Sequence, residues 1–363
     1  MSNRIVHIVY SFGCGGLEKV IANLITYSTQ YDVEHIIVSL TGDVTMREQI
    51  PLPVKVIILD KRAGNDLISH KKLYKLLKEL RPKAINTYNF GTIEYHLTAK
   101  LAGVPVRVHS DHGRGGDHPQ GKNQLHNLFR RFVANFITEY IVVSYDLYEW
   151  VCNSLKINNR KVTLIFNGVD IPLKPKKINK KFNTYVTVGR LDRIKNQQLM
   201  IEAFGEAINK DENFSNNVLN IVGDGPIYHQ LESHIKRLGL TQSIKLLGYR
   251  DNITDILNES DVFLLSSVYE AMPMTILEAM ANKTPVICTD VGGISQFISE
   301  KEAWLIESEN KEEFSNQLLE LVELNERIEQ KINAAFDLVK NHYSVEQMVQ
   351  HYLNKYQLQK LGT

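Results

Sequence analysis

Short apolar runs recur along the chain, and most of them lead through a polar or glycine-bearing turn into a segment with helical spacing. In the first half such runs lie at residues 5–10, 34–40, 54–59, 84–87, 104–109, 139–144 and 162–166. In the second half they lie at 185–188, 219–222, 244–247, 261–265 and 285–291. Runs of this length between turns are buried strands, and their alternation with helical patterns predicts parallel sheets covered by helices on both faces. Over residues 69–83, Leu73, Leu76, Leu77 and Leu80 form one stripe while Lys71, Lys72, Lys75, Lys78, Arg81 and Lys83 lie elsewhere. That is a solvated helix on a sheet, or a basic amphipathic helix on a membrane surface. Leu125, Leu128, Phe129, Phe132, Val133 and Phe136 also recur at helical spacing with Arg130 and Arg131 alongside, which predicts a core helix, with a membrane-facing one as the alternative.

The 363 residues suffice for two or three domains. Residues 171–181 hold two prolines and a basic run without periodicity, so 173–182 is expected to be a linker between domains at 1–172 and 183–342. Residues 343–363 are expected to form a helix returning to the first domain. The net charge of +1 conceals a split, because Lys and Arg outnumber Asp and Glu by 26 to 15 over residues 1–182 and are outnumbered 16 to 26 beyond. A basic first half could face anionic lipid or a phosphate-bearing acceptor, or its charge could have drifted without consequence. Three cysteines, odd in number and widely spaced, argue against a disulfide framework or zinc site and fit a reducing cytoplasm. No apolar run has the length of a membrane span, and the run at 5–10 is too short for a signal-peptide core.

Candidate chemistry gathers in the turns that follow strands, where open α/β sheets bind ligands. After the first strand, Gly13, Gly15 and Gly16 leave backbone amides unobstructed, as a phosphate site requires; a tight turn needing glycine for its dihedral angles explains them equally well. Beyond the strand at 104–109 stand His109, Asp111 and His112, followed by a polar, glycine-rich stretch at 113–121 expected to be mobile. After the strand at 185–188, Arg190 and Lys195 project near a helix start, where two cations are unfavourable unless an anion offsets them. A diphosphate would, with a surface pair as the alternative. After the strand at 261–265, Glu270 lies in the turn, Pro273 opens a helix, and Glu278 sits more than a turn along it. Unpaired helix N–H groups beside two carboxylates suit a ligand with both phosphates and hydroxyls, such as a nucleotide sugar.

The spacing of Glu270 and Glu278, the following Ala279-Met280-Ala281, and the strand ending in Gly292-Gly293 resemble glycosyltransferase family 4. So does Gly189-Arg190-Leu191 with Lys195-Asn196. The resemblance runs over nearly the whole chain and is strongest from residue 189 to 293. It implies the GT-B fold, α/β with two doubly wound Rossmann-like domains facing across a cleft. It also implies retaining transfer of a hexose-type sugar from a nucleoside diphosphate, UDP ahead of GDP, to an acceptor hydroxyl in bacterial surface polysaccharide or lipopolysaccharide synthesis. Residue by residue, it gives His112, Glu270, Arg190 and Lys195 catalytic roles. Gly15, Gly16, Gly189, Tyr249, Arg250, Met272, Pro273, Met274, Thr275 and Glu278 would bind the donor. Where many family members have Phe-Gly this chain has Met272-Pro273, which removes one N–H from the sugar site and leaves the donor open. With no Asp-x-Asp in the chain, no metal and no other cofactor is expected. The partners implied are a nucleotide sugar and a glycan or lipid-linked acceptor, with no nucleic acid; an anionic membrane surface is the option left open by the basic first half. The location expected is cytoplasmic, with peripheral attachment to the inner face of the cytoplasmic membrane as an option. A nucleotide-sugar epimerase or phosphorylase of the same fold, and a non-catalytic nucleotide-binding module, remain as alternatives.

Overall fold

The computed structural model describes residues 3–64, 66–114 and 123–358. They form two units. One runs from the amino terminus to Gly168 and resumes at Val345, and the other is Val169–Ser344. The first unit contains β1 (Arg4–Val9), α1 (Gly16–Tyr27), β2 (Glu34–Ser39), β3 (Lys55–Ile58), α2 (Leu67–Leu80), β4 (Ala84–Tyr88), α3 (Tyr95–Ala102), β5 (Val106–Asp111), α4 (Gln124–Val133), β6 (Glu139–Val142), α5 (Tyr145–Glu149) and β7 (Val162–Leu164). The second contains β8 (Thr184–Val188), α6 (Gln197–Lys210), β9 (Val218–Val222), α7 (Tyr228–Arg237), β10 (Ile244–Gly248), α8 (Ile253–Glu259), β11 (Val262–Leu265), α9 (Met274–Ala281), β12 (Val286–Thr289), β13 (Trp304–Ile306), α10 (Lys311–Glu320) and α11 (Glu326–His342). The last helix, α12 (Val345–Lys355), belongs to the first unit and packs on α1.

The two sheets are ordered β3-β2-β1-β4-β5-β6-β7 and β10-β9-β8-β11-β12-β13, and every strand pair named is parallel. Parallel strands need helical crossovers, which bury both sheet faces and explain the unbroken apolar runs. In each sheet the chain winds outward in both directions from a central pair, β1 with β4 and β8 with β11. The carboxyl ends of those pairs are the points where a doubly wound sheet opens a ligand site. The stretch expected as a linker is tied to the second unit. Asn179 Nδ2 donates to Asp261 Oδ1 at 2.7 Å, and Lys176 Nζ donates to the Leu257 carbonyl at 3.1 Å and to the Ser260 carbonyl.

Right-handed crossovers place α2, α3 and α4 on one face of the first sheet and α1 on the other. On α2 the inward stripe is Ser69, Leu73, Leu77 and Leu80, and Asp66 caps the helix by accepting from Ile68 N at 3.0 Å. The core-helix expectation for α4 is overturned. Its inward side holds Arg130, 1% exposed, and Val133, while Leu125, Leu128, Phe129 and Phe132 face outward. The cause is a polar partner on β5. Asp111 Oδ2 accepts from Arg130 Nη1 at 2.6 Å and from Tyr140 Oη at 2.5 Å, and the guanidinium lies over the Phe90 and Trp150 rings. That pairing holds the Asp111 carboxyl well below the usual carboxylate range, against a burial cost that pushes the other way.

A second polar network lies between the first sheet and the chain's return. Ser28 Oγ meets His35 Nε2 at 2.8 Å, His35 Nδ1 meets His7 Nε2 at 2.8 Å, and His7 Nδ1 meets Tyr88 Oη at 2.7 Å. Asn86 Nδ2 donates to Tyr356 Oη at 2.7 Å, which anchors the segment after α12. Burial pushes the His35 imidazole down to about 4 and the His7 imidazole well below its ordinary value, so both are neutral in the fold. As pH falls below about 6.5 the unfolded chain takes up protons that these rings refuse, so stability rises with pH and is lost in acid. From its value of about 4, His35 alone should withdraw about 2 kcal/mol between pH 7.5 and pH 5. Urea melts at the two pH values will show the loss, and His35→Gln will shrink the difference by a similar amount. An unchanged pH slope in the variant would contradict this account.

Candidate active site

In the second unit, β8 runs into Gly189 and Arg190 and β11 runs into Ser266, so both strongly patterned turns lie at the sheet's winding reversal. The first turn is built by its own side chains. Asp192 Oδ1 accepts from the backbone N–H of Ile194 at 3.0 Å and of Lys195 at 3.1 Å, and Gln197 Nε2 donates to the Arg190 carbonyl at 2.9 Å. The end of β11 then fastens it. Ser266 Oγ bonds the Lys195 and Asn196 carbonyls at 3.1 and 2.9 Å, and Val268 N donates to the Ile194 carbonyl at 2.8 Å.

These contacts bring Lys195 to Glu270. Lys195 Nζ donates to Glu270 Oε1 at 2.5 Å, and Ser267 Oγ donates to the same oxygen at 2.7 Å. Glu270 is 8% exposed, so its carboxylate is held in a desolvated place by one cation and one hydroxyl. Its backbone is fixed from β12, because Gly293 N donates to the Glu270 carbonyl at 2.9 Å. Gly292 takes φ +59°, and a Cβ there would lie 2.0 Å from that carbonyl oxygen, so only glycine fits. Gly223 does the same for the other turn: at φ +138° its Cβ would lie 2.0 Å from the Gly189 carbonyl. The glycines that follow β9 and β12 are therefore spacers that let these loops press on the site.

Arg190 is 71% exposed in its side chain, with Nε 3.6 Å from Asp192 Oδ2, and is available to an anion in solution. Met272, Pro273 and Met274 are buried around the start of α9, and Thr275 is half-buried on its first turn. Pro273 stands one position earlier than the sequence suggested, as the extended residue before the helix. No side chain caps that end, so the first N–H groups of α9 retain donor capacity for a ligand. Glu278 is half-buried further along α9. Tyr249 and Arg250 are exposed just after β10, the edge strand, two strands away from β8. Lys195, Glu270, Gly189, Arg190 and the α9 start are thus assembled at the winding reversal, while Tyr249 and Arg250 mark the sheet's flank.

The first unit places the remaining residues at its own strand ends. Gly15 precedes α1 with extended backbone, and Gly16 is the first residue of that helix. Two carboxylates crowd this turn: Glu18, which completes the Gly15-Gly16-x-Glu18 element resembling the family's donor-diphosphate loop, and Asp43, which sequence reasoning left out. A Cβ on Gly15 would lie 2.5 Å from Glu18 Oε2, and one on Gly13 would lie 2.2 Å from Asp43 Oδ2. Burial raises the Glu18 carboxyl to about 7, with the Asp43 charge adding to the rise. At neutral pH it can therefore donate or accept a hydrogen bond. The glycines make room for carboxylates as well as exposing amides. Asp43 carries no sequence signal, because it approaches the turn from the loop after β2.

His112 follows β5, and its backbone N donates to Asn89 Oδ1 at 2.8 Å. Burial lowers its imidazole to about 4, so it is neutral at pH 7, and its inaccessible Nε2 has no hydrogen-bond partner among the described residues. Its neighbours in sequence have other roles. His109 bonds Thr87 Oγ1 at 2.7 Å inside the sheet, and Asp111 holds Arg130. Of the stretch at 113–121 expected to be mobile, residues 115–121 lie outside the described residues.

Two family models together span most of the chain: Glycosyltransferase Family 4 over residues 14–172 and Glycosyl transferases group 1 over residues 171–337. The UDP-Gal:alpha-D-GlcNAc-diphosphoundecaprenol alpha-1,3-galactosyltransferase of Escherichia coli is 31% identical over 298 residues, 76% of this chain and 77% of its own length. The N-acetylgalactosamine-N,N'-diacetylbacillosaminyl-diphospho-undecaprenol 4-alpha-N-acetylgalactosaminyltransferase of Campylobacter jejuni is 26% identical, covering 84% and 86%. Among solved structures, HepE of Anabaena in complex with UDP and glucose matches with a TM-score of 0.83 at 18% identity, covering 98% of this chain and 99% of its own. With two doubly wound parallel-sheet units and the paired turns of its second unit, the chain has the GT-B fold and belongs to glycosyltransferase family 4.

Proposed function

We propose that this glycosyltransferase moves a hexose-type sugar from a UDP donor to a hydroxyl of a lipid-linked glycan, with retention at the anomeric carbon. The setting would be bacterial surface polysaccharide or lipopolysaccharide synthesis at the inner face of the cytoplasmic membrane. The observation that carries the reading is the Lys195–Glu270 pair at the second sheet's winding reversal, with Arg190 exposed beside it. The relative from Escherichia coli, by its name, takes UDP-Gal and a diphosphoundecaprenol-linked acceptor, which supports both halves of the reading.

Leaving-group departure creates charge on the diphosphate while positive charge builds at the anomeric carbon. Arg190 and Lys195, with the first N–H groups of α9, are proposed to take the diphosphate, leaving no step that requires a metal. Glu270 would accept from sugar hydroxyls near the reacting carbon, held in place by Lys195 and Ser267. Glu278 would take the ribose hydroxyls and Tyr249 and Arg250 the base. On the first unit, His112, Gly15 and Gly16 remain proposals for groups that meet the transferred sugar and diphosphate.

Arg190→Ala and Lys195→Ala should each lower kcat about 10²–10³-fold, the effect of removing one preorganised charge-stabilising donor. Circular dichroism should stay native in both, and turnover near wild type at saturating donor would refute the assignment. UDP-, GDP- and ADP-sugars compared by thermal shift will identify the base; a ligand at a hundred times its Kd adds about 2.7 kcal/mol of stability. Transfer should persist in EDTA after dialysis, and NMR of the product should show the donor's anomeric configuration. Loss of activity restored by Mg²⁺ or Mn²⁺ would overturn the metal-free account.

A further inference from the structure

The helix α4 is built inside out. A helix on a soluble sheet turns its apolar stripe inward and its charges to water. Here Leu125, Leu128 and Phe132, spaced three and four residues apart on one stripe, are 78%, 66% and 53% exposed, and Phe129 adjoins them. The opposite stripe buries Arg130, which Asp111 and Tyr140 hold in place. A charged latch fixes the helix to the sheet, and its apolar face is left outward.

The surroundings of that face are cationic. No Asp or Glu occurs from residue 118 to residue 138. Arg131 is exposed on α4, and Lys100 on α3 has Nζ 4.9 Å from the centroid of the Phe136 ring, which itself packs on Phe132. Lys161 Nζ reaches the Ala134 and Ile137 carbonyls at 3.4 and 3.2 Å. Next to Lys100, Leu101 is 75% exposed. The neighbouring helices continue the pattern, since α2 packs against α3 and shows solvent Lys71, Lys75 and Lys78 together with Leu67, Ile68 and Tyr74. Apolar side chains framed by Lys and Arg match the bilayer interface, where acyl chains lie beneath anionic headgroups. A protein partner or second copy would need acidic side chains opposite these cations.

We infer that α4 is the membrane-inserting element of this enzyme: Leu125, Leu128, Phe129 and Phe132 enter the headgroup–acyl boundary of an anionic bilayer while Lys100, Arg131 and the α2 lysines contact headgroups. This deepens the lipid-linked acceptor reading, on which it rests for its purpose. It also shifts the principal contact from α2 to α4, because α2 turns its leucine stripe inward. The placement has a consequence for the acceptor. Phe90, just beyond the carboxyl end of β4, stacks on His126 of α4 with ring centroids 4.2 Å apart. A helix seated in the interface therefore holds the first unit's strand ends, where His112, Gly15 and Gly16 are proposed to meet the transferred sugar and diphosphate, next to the lipid surface.

The test is co-sedimentation of the full chain with vesicles of phosphatidylcholine and phosphatidylglycerol at 7:3. The variant L125Q/L128Q/F132Q alters exposed positions only and should fold as wild type. Its partition coefficient should fall at least about tenfold, because three interfacial apolar side chains are lost. L128W should be quenched by lipids brominated high in the acyl chains, and wild-type binding should weaken with salt without vanishing. Equal sedimentation of the triple variant and wild type, absent quenching, or no wild-type binding would each overturn the inference. So would a change from dimer to monomer in the triple variant without vesicles, which would make the face an interface between copies. Transfer to a short, water-soluble glycan primer should be intact in the triple variant. Failure of wild type to glycosylate any lipid-linked or soluble primer would overturn the proposed function instead, and vesicle binding would still decide the role of α4.

Discussion

The bond from Lys195 Nζ to Glu270 Oε1 joins two turns that lie far apart in sequence, and the second unit's site depends on it. Glu270 could not be held so far from water alone, because a desolvated charge is tolerated only with a partner, and the half-buried Lys195 supplies it. Each turn is braced independently: Asp192 and Gln197 shape the first, and Ser267 and the β12 loop hold the second. The ion pair can therefore stay aligned without a ligand. Its energy does not come from the pair alone, and truncating Lys195 would leave the buried Glu270 carboxylate without its cation.

The first unit solves a different problem with similar chemistry. Its sheet carries polar side chains at interior positions, among them His7, Asn86, Thr87, His109 and Asp111. Each has a specific partner: His35 and Tyr88 for His7, Tyr356 for Asn86, His96 for Thr87, Thr87 for His109, and Arg130 for Asp111. A network of this kind is costly if incomplete and orienting if complete. It draws the chain's final segment onto the first sheet, and through Asp111 it rotates α4 so that a cation points in and an apolar stripe points out.

Much of this was legible in sequence. The alternation of apolar runs and helical periodicity carried the two parallel sheets, since a strand buried on both faces leaves an unbroken apolar run whatever surrounds it. The turns bearing Gly189, Arg190 and Lys195, and Glu270 through Glu278, were recognisable because they match family motifs of fixed spacing after a strand. Those features are local. What hydropathy could not show was direction: Leu125, Leu128, Phe129 and Phe132 have the spacing of a core helix, and only the identity of the opposing side chain decides otherwise.

The sequence by itself determined the fold class, the family and the strand-end positions of the candidate chemistry, because each follows from contacts within a few residues or from a motif of fixed length. Tertiary structure alone decided that Lys195 meets Glu270, that Glu18 and Asp43 crowd the Gly13–Gly15 turn, and that Arg130 turns inward to Asp111. Each of these joins side chains that approach through space, and a side chain's charge state and orientation follow from the partner it finds there.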